Sequence, residues 1–226
     1  MQARVDHLVV LAPSLPQGAD WCRATLGVEP GAGGEHPLMG THNRLLRVAT
    51  VDYPRAYFEI IAPQPGRAPE GGRRRWFDMD APDLMSTIDE HGPRLAHFVA
   101  SVPDVKAAVA AWAELGIDRG ELLQASRMTP RGLLEWRITV RPDGQRLFDG
   151  CLPTLIEWGD THPAAGMPES GVTLQAVAVR HPQAALLQAA YDAIGLHGVK
   201  VQEGPARLCA ALDTPLGRVK LESKGS

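Results

Sequence analysis

Two histidines and two glutamates interrupt apolar, strand-like runs of the sequence. His7 and His97 lie in the first run of each of two similar segments, and Glu59 and Glu157 lie in the last run of each. A carboxylate buried without a partner is strongly disfavoured, so each glutamate must meet a cation, hydrogen-bond donors or water. Imidazole and carboxylate together suit a divalent ion such as zinc, nickel, manganese, iron(II) or cobalt. The four residues therefore predict one divalent-metal site that leaves positions for water or substrate oxygens.

Each of these residues taken alone has a simpler explanation. A histidine near the start of a strand can be a hydrogen-bonded core residue, and either glutamate can pair with an arginine. The arginines considered for that role are Arg47, Arg137 and Arg141. The duplication favours the metal site, because the same pair recurs in two modules that pseudo-symmetry can bring to one axis.

The His–Glu pairs belong to a unit that recurs along the chain. Each copy begins with an apolar strand, turns at a proline, continues as a helix and stops at a glycine such as Gly27, where positive φ is expected. The prolines that align the copies are Pro13, Pro103 and Pro182. His7, His97 and Ala176 each stand six residues before the proline of their copy. The third copy has therefore lost its histidine, and we expect Glu222 at its end to be structural.

The elements around the histidines predict an α+β fold of repeated βαβββ modules with curved mixed sheets. Side chains alternate along a strand, so Val5, His7 and Val9 are expected to share one face. A parallel crossover needs a helix, and the hairpin-rich remainder of each module favours mixed sheets with helices outside.

The module boundaries follow from the repeats and from the proline- and glycine-rich stretches between them. Residues 1–63 form the first module and 94–160 the second, with a linker over 64–93. A degenerate third module is predicted over 172–222. We expect it to complete the fold without supplying metal ligands.

The bulk properties exclude several classes of protein. A hydrophobic content of 44% is enough for a sizeable core, and a net charge of -3 lacks the basic excess of nucleic-acid binders. The N-terminus has no apolar signal segment, and no stretch is long and apolar enough to span a membrane. We expect a cytoplasmic protein without a nucleic-acid or membrane partner, and a homodimer stays open as its assembly.

Four stretches resemble the glyoxalase-like domain family of the vicinal-oxygen-chelate superfamily. They are residues 6–10, 34–44, 57–63 and 155–163. The resemblance covers nearly the whole chain and implies paired βαβββ modules whose curved sheets form a cleft, the glyoxalase/bleomycin resistance-like fold. It also implies that the first-strand histidine and last-strand glutamate of each module hold the metal. Those residues are His7, Glu59, His97 and Glu157.

The resemblance implies three functions between which the sequence does not decide. The leading one is a metal-dependent lyase or isomerase, in which the ion stabilises an enediolate-like state and Glu59 or Glu157 moves the proton. The second is an extradiol-type iron(II) dioxygenase, which needs two histidines, one carboxylate and three open positions. The third is a metal-free protein that binds a toxic or antibiotic-like molecule and so confers resistance.

Further polar residues are candidates for substrate binding. His36, His42 and Asn43 lie in a glycine-rich loop before a strand, where they can line the cleft or brace the loop. Arg75 and Arg127 belong to arginine-containing stretches at 73–75 and 127–137 of a mildly acidic chain. We therefore expect a small, anionic substrate.

Overall fold

The computed structural model describes residues 2–129 and 132–223 and has an α+β fold built from βαβββ modules. The first module contains β1 (Arg4–Leu11), α1 (Leu15–Leu26), β2 (Glu35–His36), β3 (Thr41–Arg47) and β4 (Tyr57–Pro63). Helix α1 begins after Ser14, whose side chain accepts a hydrogen bond from the Gln17 backbone N–H. It ends at Gly27, which has the positive φ of 74° expected from the sequence.

The segment expected to be a linker contains a helix that the sequence analysis did not predict. Helix α2 spans Pro82–His91 and has proline at its first position, where the missing backbone N–H has no cost. Ile88 is fully buried, and Leu84 and Met85 pack beside it in the same apolar cluster. The helical spacing of Leu84, Met85 and Ile88 in the sequence is the pattern that could have predicted this helix.

The second and third modules repeat the order of the first. The second contains β5 (Arg94–Ser101), α3 (Val105–Ala113), β6 (Glu121–Thr129), β7 (Gly132–Val140) and β8 (Thr154–Trp158). The third contains β9 (Thr173–Arg180), α4 (Ala184–Ile194), β10 (Val199–Gln202), β11 (Arg207–Thr214) and β12 (Gly217–Glu222).

The first two modules share one eight-stranded sheet, in the order β2-β3-β4-β1-β5-β8-β7-β6. Strands β1 and β5 are antiparallel neighbours at its centre, while β1 pairs with β4 and β5 with β8 in parallel. In the central pair His7 lies opposite Val99 and His97 opposite Val9. The two modules are thus related by a pseudo-twofold axis between β1 and β5.

The third module forms a separate four-stranded sheet, in the order β10-β9-β11-β12. Its inner face and helix α4 join a large apolar cluster with α1, α3 and one face of the eight-stranded sheet. Trp112 of α3 donates a hydrogen bond of 2.7 Å to the Ala190 carbonyl of α4. Ala176 is exposed, and Glu222 pairs with Arg207 and Lys220. Within the described residues, no helix combines the length and apolar character needed to cross a membrane.

A bulge in β1 changes which residues share a face. Val5 packs in the same cluster as Leu8 and Val10, not with Val9 as strict alternation predicts. The pairing register with β5 shifts between Val5 and His7. The extra residue is Asp6, and the bulge brings its carboxylate to the side of the sheet that carries His7.

Candidate functional site

His7 and Glu59 form a buried ion pair on the face of the large sheet that the third module does not cover. They project from the neighbouring strands β1 and β4, and His7 Nε2 lies 3.4 Å from Glu59 Oε2. His7 is 5% exposed and Glu59 6% exposed. The carboxylate that the sequence placed in an apolar strand is therefore partnered by the imidazole predicted to accompany it.

Asp6 orients His7 from behind. One Asp6 oxygen accepts a hydrogen bond of 2.7 Å from His7 Nδ1, and the other accepts bonds of 3.0 Å from Trp158 Nε1 and His162 Nε2. Burial disfavours the Asp6 charge, but the hydrogen bonds from His162 and His7 outweigh it and hold the Asp6 pKa well below its usual range. The ionised carboxylate fixes the ring of His7 with Nε2 directed at Glu59.

The pKa values of His7 and Glu59 move in opposite directions. Burial lowers the pKa of His7, but the hydrogen bond to Asp6 and the contact with Glu59 outweigh it and raise that pKa from 6.5 to about 9. Burial raises the pKa of Glu59, but His7 and Asn43 outweigh it and lower that pKa below 4.5. The pair is consequently an imidazolium and a carboxylate at neutral pH.

Asn43 and His36 complete the surroundings of the Glu59 carboxylate. Asn43 Nδ2 donates a hydrogen bond of 2.6 Å to Glu59 Oε1, and Asn43 Oδ1 accepts one of 2.7 Å from the Gly34 backbone N–H. His36 Nε2 lies 3.7 Å from Glu59 Oε1, while its Nδ1 lies 3.1 Å from Thr41 Oγ1. Burial is the main cause of the lowered pKa of His36. His36 and Asn43 line the cleft, and Asn43 also braces the loop.

Two adjoining cavities open above this cluster. The smaller, about 50 Å³, contacts His7, Asn43 and Glu59, and the larger, about 330 Å³, lies beside it. Residues from the linker and both modules line both cavities, namely His36, Trp76, Arg127, Trp136 and Ile138. The polar pair therefore lies at one end of a larger, mainly apolar space between the two modules.

Arg127 reaches across the cleft from the second module to the first. A Cβ atom placed on Gly34 would lie 1.4 Å from Arg127 Nη1, so the guanidinium occupies the space that the glycine leaves. Arg75, the other predicted substrate-binding arginine, is instead paired with Asp80 and donates to the Arg67 and Gly40 carbonyls. The structure therefore places Arg127 at the site and uses Arg75 to hold the linker.

His42 does not have the first of its two predicted roles, lining the cleft. It precedes Asn43 in β3 and so projects to the other side of that strand, and it is absent from the lining of both cavities. Arg131, which belongs to the predicted arginine stretch at 127–137, lies outside the described residues.

His97 is buried behind the cavity and not in it. Its Nδ1 lies 3.1 Å from the Gly150 carbonyl, and its Nε2 accepts a hydrogen bond of 3.1 Å from the Thr154 backbone N–H. The Phe77 ring lies 5.2 Å from the His97 ring, on the cavity side, with the two ring planes tilted by 40°. Burial and the nearby Arg119 lower the pKa of His97 well below 6.5. The residue is thus the hydrogen-bonded core histidine considered as the simpler explanation.

Glu157 is likewise not assembled with the other predicted ligands. Its carboxylate pairs with Arg137 and accepts a hydrogen bond of 2.9 Å from the Val105 backbone N–H at the start of α3. Its neighbours Ile156 and Trp158 line the small cavity, so Glu157 itself projects to the opposite face of β8. Across residues 2–129 and 132–223, no group of three or more His, Cys, Asp or Glu could hold a metal ion. The predicted four-ligand arrangement is therefore not what the structure shows.

The sequence analysis assigned no role to Asp6, His162, Trp76 and Thr154. Asp6 carried a usable signal, because an acidic residue directly before a candidate histidine in an apolar strand suits a carboxylate that orients the ring. Trp76 and His162 reach the site from distant parts of the chain, and Thr154 lies with His97 in the core behind it. The sequence around these three residues does not indicate their positions.

Similarity to known proteins extends over most of the chain. The sequence model of the Glyoxalase-like domain matches residues 5–195. A hypothetical protein from Staphylococcus aureus has a similar structure, with a TM-score of 0.61, 12% identity, and coverage of 91% of this chain and 88% of that one.

Two methylmalonyl-CoA epimerases are more distant in structure. That of Streptomyces coelicolor, bound to 2-nitronate-propionyl-CoA, has a TM-score of 0.45 and 17% identity over 72% of this chain and 99% of its own. That of Mycobacterium tuberculosis has a TM-score of 0.38 and 15% identity over 72% and 91%. No curated protein matches the sequence. Because the family model covers most of the chain, the protein belongs to the Glyoxalase-like domain family.

Proposed function

We propose that this protein is an isomerase or lyase that moves a proton at a carbon next to a carbonyl group of a small anionic molecule. The observation that carries the proposal is the buried His7–Glu59 pair, 3.4 Å apart at the end of a cavity, with pKa values shifted in opposite directions. Environments that separate the pKa values of two groups create an acid and a base at one pH. Glu59 is the base and His7 the acid.

The proton transfer can be written with these residues alone. The substrate C–H bond breaks, its proton passes to the Glu59 carboxylate, and its electron pair moves onto the adjacent carbonyl oxygen to give an enolate or enediolate. His7 as imidazolium stabilises this oxygen and donates a proton to it. Glu59 then returns its proton to the neighbouring carbon, while the neutral His7 takes a proton from the enediol hydroxyl that becomes the new carbonyl. This completes an isomerisation without net change in protons or electrons.

The surrounding residues support this division of roles. Asp6 raises the proton affinity of His7, and Asn43 holds one Glu59 oxygen at 2.6 Å. Apolar side chains of Leu45, Ile138 and Ile156 line the same small cavity and limit the water that reaches the pair.

The divalent ion predicted from the sequence would require His97 and Glu157 as ligands. Both nitrogens of His97 are engaged by Gly150 and Thr154, and Glu157 is held by Arg137 and Val105 on the other face of β8. The residues present do not fit that four-ligand site. The extradiol alternative needs two histidines and a carboxylate around iron(II). His7 and His36 both approach Glu59, but Asn43 already donates to Glu59 Oε1, and the described residues form no group that could hold an ion.

Solvent-deuterium exchange tests the proposed function. The unliganded protein is incubated in D₂O with 2-oxo acids of increasing chain length, from pyruvate to 2-oxotetradecanoate, and loss of the C3 hydrogens is followed by proton NMR. These acids combine a carboxylate with an acidic C–H beside a carbonyl. We expect exchange well above the buffer rate and a reduction of about 100-fold or more in Glu59→Gln. Glu157→Gln is the matched control and should retain the wild-type rate.

A metal-free binding protein is the second candidate function, and the mainly apolar cavity of about 330 Å³ favours it. It predicts that acids bind without exchange of their C3 hydrogens at any chain length. That combination would replace the enzyme proposal. Oxygen uptake with catechols would instead restore the dioxygenase alternative.

A further inference from the structure

The larger cavity has apolar walls that the proposed proton transfer does not use. Strands β6 and β7 contribute Leu123, Ala125 and Val140, and the segment after β2 contributes Leu38 and Met39. The volume of about 330 Å³ equals that of roughly ten water molecules at ~30 Å³ each. Apolar cavities of this size favour apolar ligand groups, because ordered water there has few polar partners.

Two hydrogen-bond donors where the cavities adjoin lack acceptors. Arg127 Nε and Trp76 Nε1 are buried and have no hydrogen-bond partner within the described residues. Both side chains line the small cavity with His7 and Glu59 as well as the large apolar one. Buried N–H groups of this kind are normally satisfied, so we expect both side chains to turn toward the acceptor oxygens of a ligand bound between them.

The charge distribution limits the number of acidic groups on that ligand. Arg127 forms no ion pair in the described structure, and its guanidinium is held against Gly34. Glu35 lies exposed at the rim of the large cavity. An acid group therefore suits the Arg127 end, whereas a second one at the Glu35 rim would meet a like charge.

We infer that the substrate is a monocarboxylic acid that carries an apolar chain or ring of up to about ten non-hydrogen atoms. Its carboxylate accepts from Arg127 and Trp76, its reactive carbon lies against His7 and Glu59, and its apolar group fills the large cavity. This inference rests on the proposed function and adds the substrate class to it. A neutral ligand would leave the guanidinium unpaired, and a short hydrophilic acid would leave the apolar walls hydrated.

Isothermal titration with the same series of straight-chain 2-oxo acids tests the inference. Affinity should rise by about fourfold for each added CH₂ and stop rising once the cavity is filled. Neutral amides of the same chain length should bind at least about tenfold more weakly, since they lose the charge-assisted hydrogen bonds. Arg127→Gln should remove most of this preference for acids.

Two variants of β6 locate the apolar group. Ala125→Phe should end the rise at a shorter chain, and Leu123→Ala should extend it to a longer one, so either variant suffices if the other does not fold. Gln124→Phe is the matched control, because Gln124 lies between them on the strand and lines a separate cavity. It should leave the chain-length profile unchanged.

The outcomes separate this inference from the proposed function. Equal affinity along the wild-type series, or no binding of any acid, would overturn the substrate class. A rise with chain length that is the same in Ala125→Phe, Leu123→Ala and the wild type would also overturn it. A normal chain-length profile without deuterium exchange would uphold the ligand class and refute the enzyme.

Discussion

Thr154 holds in the second module the position that Glu59 holds in the first. Val9, which follows His7 by two residues, pairs with Glu59. Val99, which follows His97 by two residues, pairs in the same way with Thr154. Glu59 contacts His7 Nε2, and Thr154 Oγ1 lies 3.1 Å from His97 Nε2. The pseudo-twofold axis therefore relates a charged His–Glu pair facing the cavity to a neutral His–Thr pair within the core.

This asymmetry predicts different effects for the two glutamates. Glu157→Gln should keep proton-exchange activity and lower the free energy of unfolding by about 1 kcal/mol, because it loses the charge that faces Arg137 and the start of α3. Glu59→Gln should lose exchange activity, because this variant lacks the carboxylate proposed as the base. Urea denaturation and the NMR exchange assay measure the two quantities. Loss of activity in Glu157→Gln without loss of folding would contradict the assignment.

The raised pKa of His7 predicts a dependence of stability on pH. The pKa rises from 6.5 to about 9 on folding, so protonated His7 stabilises the fold fully below pH 6.5 and this contribution is lost as the pH rises through about 9. The loss should amount to at most about 3 kcal/mol in urea denaturation between pH 6 and pH 10.

The Asp6→Asn variant tests the cause of that dependence. Removing the carboxylate that accepts from His7 Nδ1 should lower the folded pKa of His7 and so shrink the decline at alkaline pH. Asp89→Asn, at an exposed position of α2, is the matched control and should keep the wild-type slope. An equal decline in wild type and Asp6→Asn would assign the slope to another group.

The local elements of this fold could be predicted from the sequence. Strand, proline turn, helix and glycine follow each other within a few residues, so Gly27 and the copies around Pro103 and Pro182 could be placed without knowledge of distant contacts. The His7–Glu59 pair was also accessible, because both residues interrupt apolar strands of one module.

The pairing between distant strands was not accessible in the same way. Whether Thr154 or Glu157 matches Glu59 depends on the register of β8 against β5, which the loop from 141 to 153 sets. A shift of one residue turns every side chain to the other face of the sheet, and Glu157 lies three residues from Thr154. The bulge at Asp6 and the reach of Arg127 to Gly34 likewise depend on neighbours that the sequence does not identify.

The contact between Gly34 and Arg127 predicts that acid preference depends on a glycine. A methyl group at this position would occupy the place of Arg127 Nη1, so Gly34→Ala should displace the guanidinium while leaving residue 127 intact. The ratio of acid to amide affinity should fall by about tenfold or more, as for Arg127→Gln. Isothermal titration with 2-oxooctanoate and its amide measures the ratio.

Gly132→Ala is the control for this variant. Gly132 lies in β7, which pairs with the strand that carries Arg127, and a Cβ atom placed on it would meet no atom within 4 Å. Gly132 has a φ of 109°, so alanine there strains the backbone without touching Arg127. This variant therefore controls for the backbone strain of replacing a glycine by alanine. A wild-type ratio in Gly34→Ala would show that Arg127 binds acids without this fixed position.

The half-site formed by His7 and Glu59 leads to a prediction about metal. Because Thr154 replaces the matching glutamate and His97 is engaged by Gly150, we expect purified untagged protein to hold well under one equivalent of zinc, nickel, manganese or iron. Elemental analysis measures the content directly. A chelator should then leave the melting temperature unchanged, since only an ion bound to the folded state stabilises it. One full equivalent of metal that is lost in His7→Ala and kept in Glu157→Gln would instead place an ion at His7 and Glu59, and the acid–base roles proposed for them would have to be abandoned.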